Sequence, residues 1–182
     1  MLCGIDEAGR GPCAGDLVMA GCILLDPVEG LNDSKKLSEK KREELFELII
    51  KSSLYHVVKF SPKQIDSDGI SKCLAKGLQE ILTCLDADEY LFDGNSTFGV
   101  NGLNTMIKAD GKIAEVSAAS IIAKVTHDRD IIKESKKYPQ WEFHTHKGYG
   151  TKKHVELIKK HGYSPIHRMS YKIKELREPS LF

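Results

Sequence analysis

The sequence predicts a single α/β domain built on a central mixed sheet of about five strands, flanked by helices and followed by a helical C-terminal region. Three observations predict it. Apolar patterning runs in the order β, β, α, β, α, β, β, α, α, the alternation of an α/β fold. The first two strands are separated only by a short glycine-containing loop, so the sheet starts antiparallel, and the α/β order that follows suits a parallel centre. The length of 182 residues fits one domain, read here as 1–182 with a basic helical part from about 138 to 182.

The elements follow in order. Leu2 to Asp6 is a short strand stopped by the glycines of Glu7-Ala8-Gly9-Arg10-Gly11-Pro12, and Leu17 to Leu25 is a longer, largely buried strand. After the polar loop Asn32 to Lys36, Ser38 caps a helix running to about Ser52, with Leu45, Leu48 and Ile49 at helical spacing. Leu54 to Phe60 is β-branched and aromatic, hence a strand. Ser71 to Leu85 carries Leu74, Leu78, Ile81, Leu82 and Leu85 along one helical face. Glu89 to Phe92 is a strand ending at Asp93-Gly94-Asn95, and Leu103 to Lys108 another ending at Ala109-Asp110-Gly111. Glu115 to about Lys136 is a long helix whose small residues, Ser117-Ala118-Ala119-Ser120, permit close packing on the sheet. Further helices are predicted near Thr151 to His161 and Tyr171 to Leu176, and no internal repeat is present.

Composition excludes several classes. Hydrophobic residues are 41% and charged residues 29%, which suits a packed globular protein and not a disordered one. The longest apolar run, Leu17 to Leu25, is well short of the roughly 20 residues that a membrane helix needs. No basic-then-apolar leader stands ahead of the first strand, so the expected location is the cytoplasm. The five cysteines, Cys3, Cys13, Cys22, Cys73 and Cys84, include no C-x-x-C pair and read as small buried hydrophobes, not as a disulfide framework or zinc site. Net charge is +1, but Lys133 to Arg177 holds 12 basic and 4 acidic residues. A basic C-terminal third beside a carboxylate-rich body suits a polyanion held against a metal site; a solvated lysine-rich helical face is the plainer alternative.

Carboxylates stand at three predicted strand ends: Asp6 and Glu7, then Asp93, then Asp110. Ligand sites of α/β sheets gather at such ends. Four converging carboxylates repel one another unless cations sit between them, and hard oxygen ligands suit Mg²⁺ or Mn²⁺ and phosphodiester hydrolysis. Taken singly, each is also a common turn residue. Asp6 and Glu7 are adjacent, so a regular strand would point them to opposite faces, and Glu7 reaches the site only if the strand breaks there. Asp128 competes for a place in the set, but its spacing of four from Lys124 favours a local ion pair. His144 and His146 lack cysteine partners and read as exposed or phosphate-facing.

Gly4-Ile5-Asp6-Glu7-Ala8-Gly9-Arg10-Gly11-Pro12 resembles the signature that opens the bacterial ribonuclease HII family. Further blocks occur in the family's order: Leu31 to Ser38, Asp93-Gly94-Asn95, Lys108-Ala109-Asp110, Ser117 to Thr126, and His146 to Thr151. The resemblance implies the ribonuclease H-like fold, with Asp6, Glu7, Asp93 and Asp110 as the metal-binding catalytic set. It also implies Mg²⁺ or Mn²⁺ as cofactor and hydrolysis leaving a 5′-phosphate and a 3′-hydroxyl. The substrates implied are RNA–DNA hybrids and DNA with embedded ribonucleotides, and the expected active form is a monomer. In the family the loop matching Gly9-Arg10-Gly11 contacts the ribonucleotide through its backbone, and the tyrosine matching Tyr149 lies against the sugar at an RNA-to-DNA junction, so a 2′-hydroxyl can be sensed. Glycines allow that approach and a tyrosine can stack on a sugar, although an ordinary turn and a core aromatic are the plainer readings of the same residues. Ser34, Lys35 and Lys36 suit phosphate oxygens, or are solvated residues ahead of a helix. Three residues depart from the pattern: Asp16, where the family has an apolar residue or proline, Ala109 in place of glycine, and Met169 between Arg168 and Ser170. Two other readings stand beside this one: a two-metal nuclease of the same fold acting on structured DNA, and a catalytically silent module that binds hybrids.

Overall fold

The computed structural model describes residues 1–176. Residues 177–182, the end of the predicted basic part, lie outside the described residues. Strands β1 (Leu2–Ala8), β2 (Leu17–Leu24), β3 (Ser53–Phe60), β4 (Glu89–Asp93) and β5 (Asn104–Met106) form one sheet in the order β3-β2-β1-β4-β5. β1–β2 and β2–β3 are antiparallel while β1–β4 and β4–β5 are parallel, so the antiparallel start and the parallel centre are both present.

Alternation along β2 sends Leu17, Met19 and Ile23 to one face and Val18, Ala20 and Cys22 to the other, and both sets are buried. The first set packs on α3 (Ile70–Cys84) through Leu74, Leu78 and Ile81. The second packs on α1 (Glu39–Ile49), through Leu45 and Ile49, and on α4 (Ala114–Lys137), through Ala118 to Val125. Ser38 caps α1 by accepting from the Lys41 N–H, but the helix stops at Ile49, and Leu48, expected on the apolar face, is exposed. The small residues of α4 serve the close packing read from them. A Cβ on Gly4 of β1 would sit 2.3 Å from the Glu115 carbonyl carbon and the Val116 nitrogen, so helix and strand meet backbone to backbone.

Two elements differ from expectation. A short helix, α2 (Pro62–Asp68), follows β3; Ser61 and Gln64 form a capping box with Pro62 in the first turn. β5 is only three residues long, because Lys108 turns into the left-handed region at φ 59° and the chain enters a 3₁₀ turn, Ala109–Gly111. The C-terminal part holds α5 (Phe143–His146), α6 (Lys152–His161) and a 3₁₀ turn at Lys174–Leu176. Its own small core of Trp141, Phe143 and Ile158 packs on Ala14 and Ile131. Among the described residues no helix is long and apolar enough to cross a membrane.

Candidate active site

The sheet register decides which carboxylates meet. Ile5 pairs with Phe92 across the parallel β1–β4 ladder, and both face α3. The next residue on each strand, Asp6 and Asp93, therefore shares the opposite face, toward α4. The 3₁₀ turn leading into α4 brings Asp110 to the same place. Asp6, Asp93 and Asp110 each offer an oxygen within 4.8 Å of the other two. Among the described residues this is the only group of its kind.

Glu7 is not part of that group. The strand runs unbroken to Ala8, so alternation turns Glu7 to the other face. Its Oε1 lies 3.6 Å from the Arg10 guanidinium and its Oε2 is buried without a hydrogen-bond partner among the described residues. It stays close enough to the site to be felt electrically: burial raises the Glu7 carboxyl, Arg10 opposes that, and the Asp93 charge adds to it. Burial, with the Glu7 charge next, pushes Asp6 well above the usual carboxylate range. Asp110 is also raised, by burial and then by Asp93 and Asp33. An all-oxygen set that resists ionising, beside an orphaned buried carboxylate oxygen, fits a hard divalent cation. Mg²⁺ or Mn²⁺ would be held by Asp6, Asp93 and Asp110, with Glu7 at the margin.

A cavity of about 480 Å³ opens beside Asp93 and Asp110, with Lys35, Lys36, Lys108 and Lys112 on its walls. Burial works against the Lys35 charge, yet Asp6, Asp110, Asp33 and Asp93 together hold its ammonium above the ordinary value. Ser34 differs from expectation. It is buried, and its hydroxyl shares a 2.8 Å hydrogen bond with that of Ser120 on α4, so it ties the loop down and offers nothing outward. Asp33, not singled out by sequence, accepts from the Lys35 N–H at 2.9 Å and orders the same loop.

Gly9 has φ +83°, and a Cβ there would sit 2.4 Å from the Asp16 carbonyl oxygen and 2.6 Å from His127 Cδ2. Only glycine lets the loop lie down at this position. Arg10 is exposed and its guanidinium stands 5.8 Å above the Phe98 ring. Tyr149 is 44% exposed, so it is not a core aromatic, and a Cβ on Gly11 would be 3.7 Å from its Cε1. The glycine loop and the tyrosine therefore adjoin, although 138 residues of sequence separate Gly11 from Tyr149. Asp128 pairs with Lys124 at 2.9 Å, as its helical spacing predicts, and also meets His127 Nδ1 at 3.0 Å; these contacts outweigh burial and lower its carboxyl. His144 is exposed, but His146 is buried and stacked on His154 with ring centroids 4.0 Å apart, a correction to the surface role expected of it. Of the three departures, Asp16 has its carboxyl raised by burial and by Asp130; the Ala109 N–H donates to Asp93 Oδ1 at 3.2 Å; and Met169 is exposed.

The mixed sheet and the acidic ends of its two central parallel strands place the protein among nucleases of the ribonuclease H-like fold. The model of the family described as Ribonuclease HII matches residues 3–174. The chain belongs to the ribonuclease HII family. It is 59% identical over 181 residues to a Ribonuclease HII of Sulfurovum sp. (strain NBC37-1), covering 100% of this chain and 96% of that one. Among solved structures it resembles the RNase HII in a PCNA complex from Archaeoglobus fulgidus, with TM-score 0.82, 32% identity, and 100% and 98% of the two chains covered. It also resembles the ribonuclease H2 from Pyrococcus horikoshii OT3, with TM-score 0.75, 31% identity, and 94% and 93% covered.

Proposed function

We propose that this chain is an endoribonuclease that hydrolyses the RNA strand of RNA–DNA hybrids and cuts on the 5′ side of ribonucleotides embedded in duplex DNA. The observation that carries the reading is the convergence of the Asp6, Asp93 and Asp110 oxygens within 4.8 Å at adjoining strand ends. With Glu7 at its edge, this set would hold two Mg²⁺ or Mn²⁺ ions, which would supply an activated water and neutralise charge on the departing oxygen.

The chain's own residues do the rest. Asp6, Asp93 and Asp110 are rooted on the sheet and the turn before α4, so they keep their geometry without rearrangement. Lys35 and Lys36 meet the phosphate backbone, a contact that positions a duplex without reading its bases. The main chain of Gly9-Arg10-Gly11 approaches the ribose, and the Tyr149 ring lies on the next sugar, so the 2′-hydroxyl distinguishes the substrate. Hydrolysis breaks the bond between phosphorus and the upstream 3′-oxygen. The water oxygen joins phosphorus and a proton goes to the leaving oxygen, giving a 5′-phosphate on the ribonucleotide and a 3′-hydroxyl upstream. The enzyme acts in the cytoplasm as a monomer.

The test is an end-labelled DNA duplex carrying one ribonucleotide, run beside an RNA–DNA hybrid and an all-DNA duplex, with Mg²⁺, Mn²⁺ or chelator. A metal-dependent cut 5′ of the ribonucleotide with the all-DNA control intact is expected. Binding without a cut under either metal would overturn the reading, and cleavage of the all-DNA control would move it to a nuclease for structured DNA.

A further inference from the structure

The elements assigned above to ribose recognition come from opposite ends of the chain, and one segment touches both. Arg168 is 1% exposed, and its guanidinium donates to the carbonyls of Gly9 at 2.6 Å, Gly15 at 2.8 and 2.9 Å, and Arg10 at 3.4 Å. Tyr171 adds a 2.7 Å hydrogen bond from its hydroxyl to the Arg10 carbonyl. The Gly9-Arg10 loop is thus held from behind through its carbonyls.

The adjacent residue, His167, points the other way. Its Nδ1 lies 2.7 Å from the Ser164 N–H, a group that only donates, so Nδ1 accepts. His154 Nδ1 lies 2.9 Å from the Tyr149 carbonyl, which only accepts, so this Nδ1 carries a proton. The two Nε2 atoms are 2.9 Å apart. With both rings neutral, the remaining proton sits on His167 Nε2 and is donated to His154 Nε2. A single directed chain results: Ser164 N–H to His167, His167 to His154, His154 to the Tyr149 carbonyl. His146 fits the same scheme, its Nε2 donating to the Trp141 carbonyl at 2.8 Å and its Nδ1 accepting the Gly148 N–H at 3.3 Å. Burial lowers the pKa of both His154 and His167 to about 4, in keeping with neutral rings. Cys13 lies between the two halves, its N–H bonded to the Gly148 carbonyl at 2.9 Å and its carbonyl to the Arg168 N–H at 2.8 Å.

We propose that His167, with His154 and Arg168, is a positioning residue for substrate choice: the 164–171 segment clamps Tyr149 and the glycine loop at one spacing, so that a junction ribonucleotide is recognised. The proposal rests on the reading of Tyr149 as the residue that meets the junction sugar. The local N–H of Thr151 also bonds the Tyr149 carbonyl at 2.8 Å, but it belongs to the same turn and moves with it. The hydrogen bonds of the histidine chain and of Cys13 connect that turn to the segment gripping Gly9, and the Phe143 ring packs against His146, His154 and His167 beside them.

The test uses amide mimicry. His167→Gln places an amide where Nε2 was and keeps the bond to His154, while His167→Asn keeps only the local bond to Ser164. The readout is the ratio of kcat/KM on duplex DNA with one ribonucleotide to kcat/KM on a continuous RNA–DNA hybrid, which is independent of the fraction folded. His167→Asn is expected to lower the ratio about tenfold or more, and His167→Gln to restore it. An Asn variant that lowers Tm and leaves the ratio unchanged would overturn the proposal. Tyr149→Ala is run in parallel: if it too leaves the ratio unchanged, the reading of Tyr149 has failed, and if it alone lowers the ratio, only the clamp has. Should the variants not fold, ¹⁵N NMR of the histidine rings in the native enzyme decides. The Nδ1–H form of His154 with the Nε2–H form of His167 is expected, and the opposite pair would overturn the chain.

Discussion

Replacing Asp6 by Asn should cripple cleavage and, in the presence of chelator, make the protein more stable. Asp6 is 6% exposed and has oxygens of Asp93 and Asp110 within 4.8 Å. Two unit charges at that spacing repel by about 3.5 kcal/mol at an effective dielectric constant near 20, and Asp6 faces two such partners with Glu7 beyond them. The full repulsion is not stored, because the metal-free site takes up protons first, as the raised Asp6 and Asp110 carboxyls indicate. The amide oxygen still accepts the 2.7 Å hydrogen bond from the Glu7 N–H, so little is lost in exchange. A net gain on the order of 1–3 kcal/mol corresponds to an increase of about 5 °C in Tm for a chain of this size. The assay is thermal unfolding at pH 8 in chelator, in Mg²⁺ and in Mn²⁺. The native enzyme should gain stability with either metal, and the variant should start higher and gain less. Cleavage should fall by about 10³-fold, the value of several kcal/mol of lost transition-state stabilisation. A variant that is less stable in chelator, or that gains as much from metal as the native enzyme, would refute the argument that Asp6 is held against repulsion in order to bind a cation.

Three further outcomes follow from the geometry. Gly9→Ala forces a Cβ to within 2.4 Å of the Asp16 carbonyl oxygen at a φ of +83°; a loss of about 2 kcal/mol, read by urea unfolding, should accompany a loss of ribonucleotide cleavage. Arg168→Lys leaves several of the Gly9, Arg10 and Gly15 carbonyl bonds unmade inside the protein and should cost about 3 kcal/mol, with full retention of stability counting against the clamp. Acid should weaken the histidine cluster: His154 and His167 have folded pKa values of about 4 against an ordinary 6.5, so the unfolded chain binds more protons between those values. Their contribution is complete above pH 6.5 and is lost as pH falls toward 4. The raised carboxylates act in the opposite sense, so the measurement is a difference: stability of the native enzyme should fall faster than that of His167→Gln by about 1.4 kcal/mol per pH unit in that window, and parallel curves would refute it.

The strands, the long helix and the acidic positions were legible because their signals are local. The continuous apolar run of Leu17 to Leu24, the three-four spacing of Leu74, Leu78 and Ile81, and the aspartate at the end of β4 are each signals confined to a few residues. Alternation alone also raised the question about Glu7, and the unbroken β1 answers it by leaving Glu7 beside the trio. The α2 helix carries an equally local signal, the Ser61-Pro62-x-Gln64 capping box. Ser34 and His146 could not be read in the same way. Each looks polar and free in its own stretch of chain; Ser34 is buried by Ser120, 86 residues on, and His146 by the fold-back of α6, which stacks His154 on its ring while the Trp141 carbonyl takes its proton.

The same division separates catalysis from recognition in this fold. Asp6 and Asp93 meet through the β1–β4 register, which the hydrophobic pattern specifies, and the turn before α4 adds Asp110. Recognition depends on carbonyl groups, which every residue has and no sequence pattern marks. The loop at Gly9 to Gly11 is shaped by Arg168, more than 150 residues away, and the Tyr149 turn by a proton order among buried histidines. On the proposed reading, changes in the 164–171 segment should retune which ribonucleotide substrates are cut while the chemistry of cutting is left intact, and the His167 pair of variants separates the two.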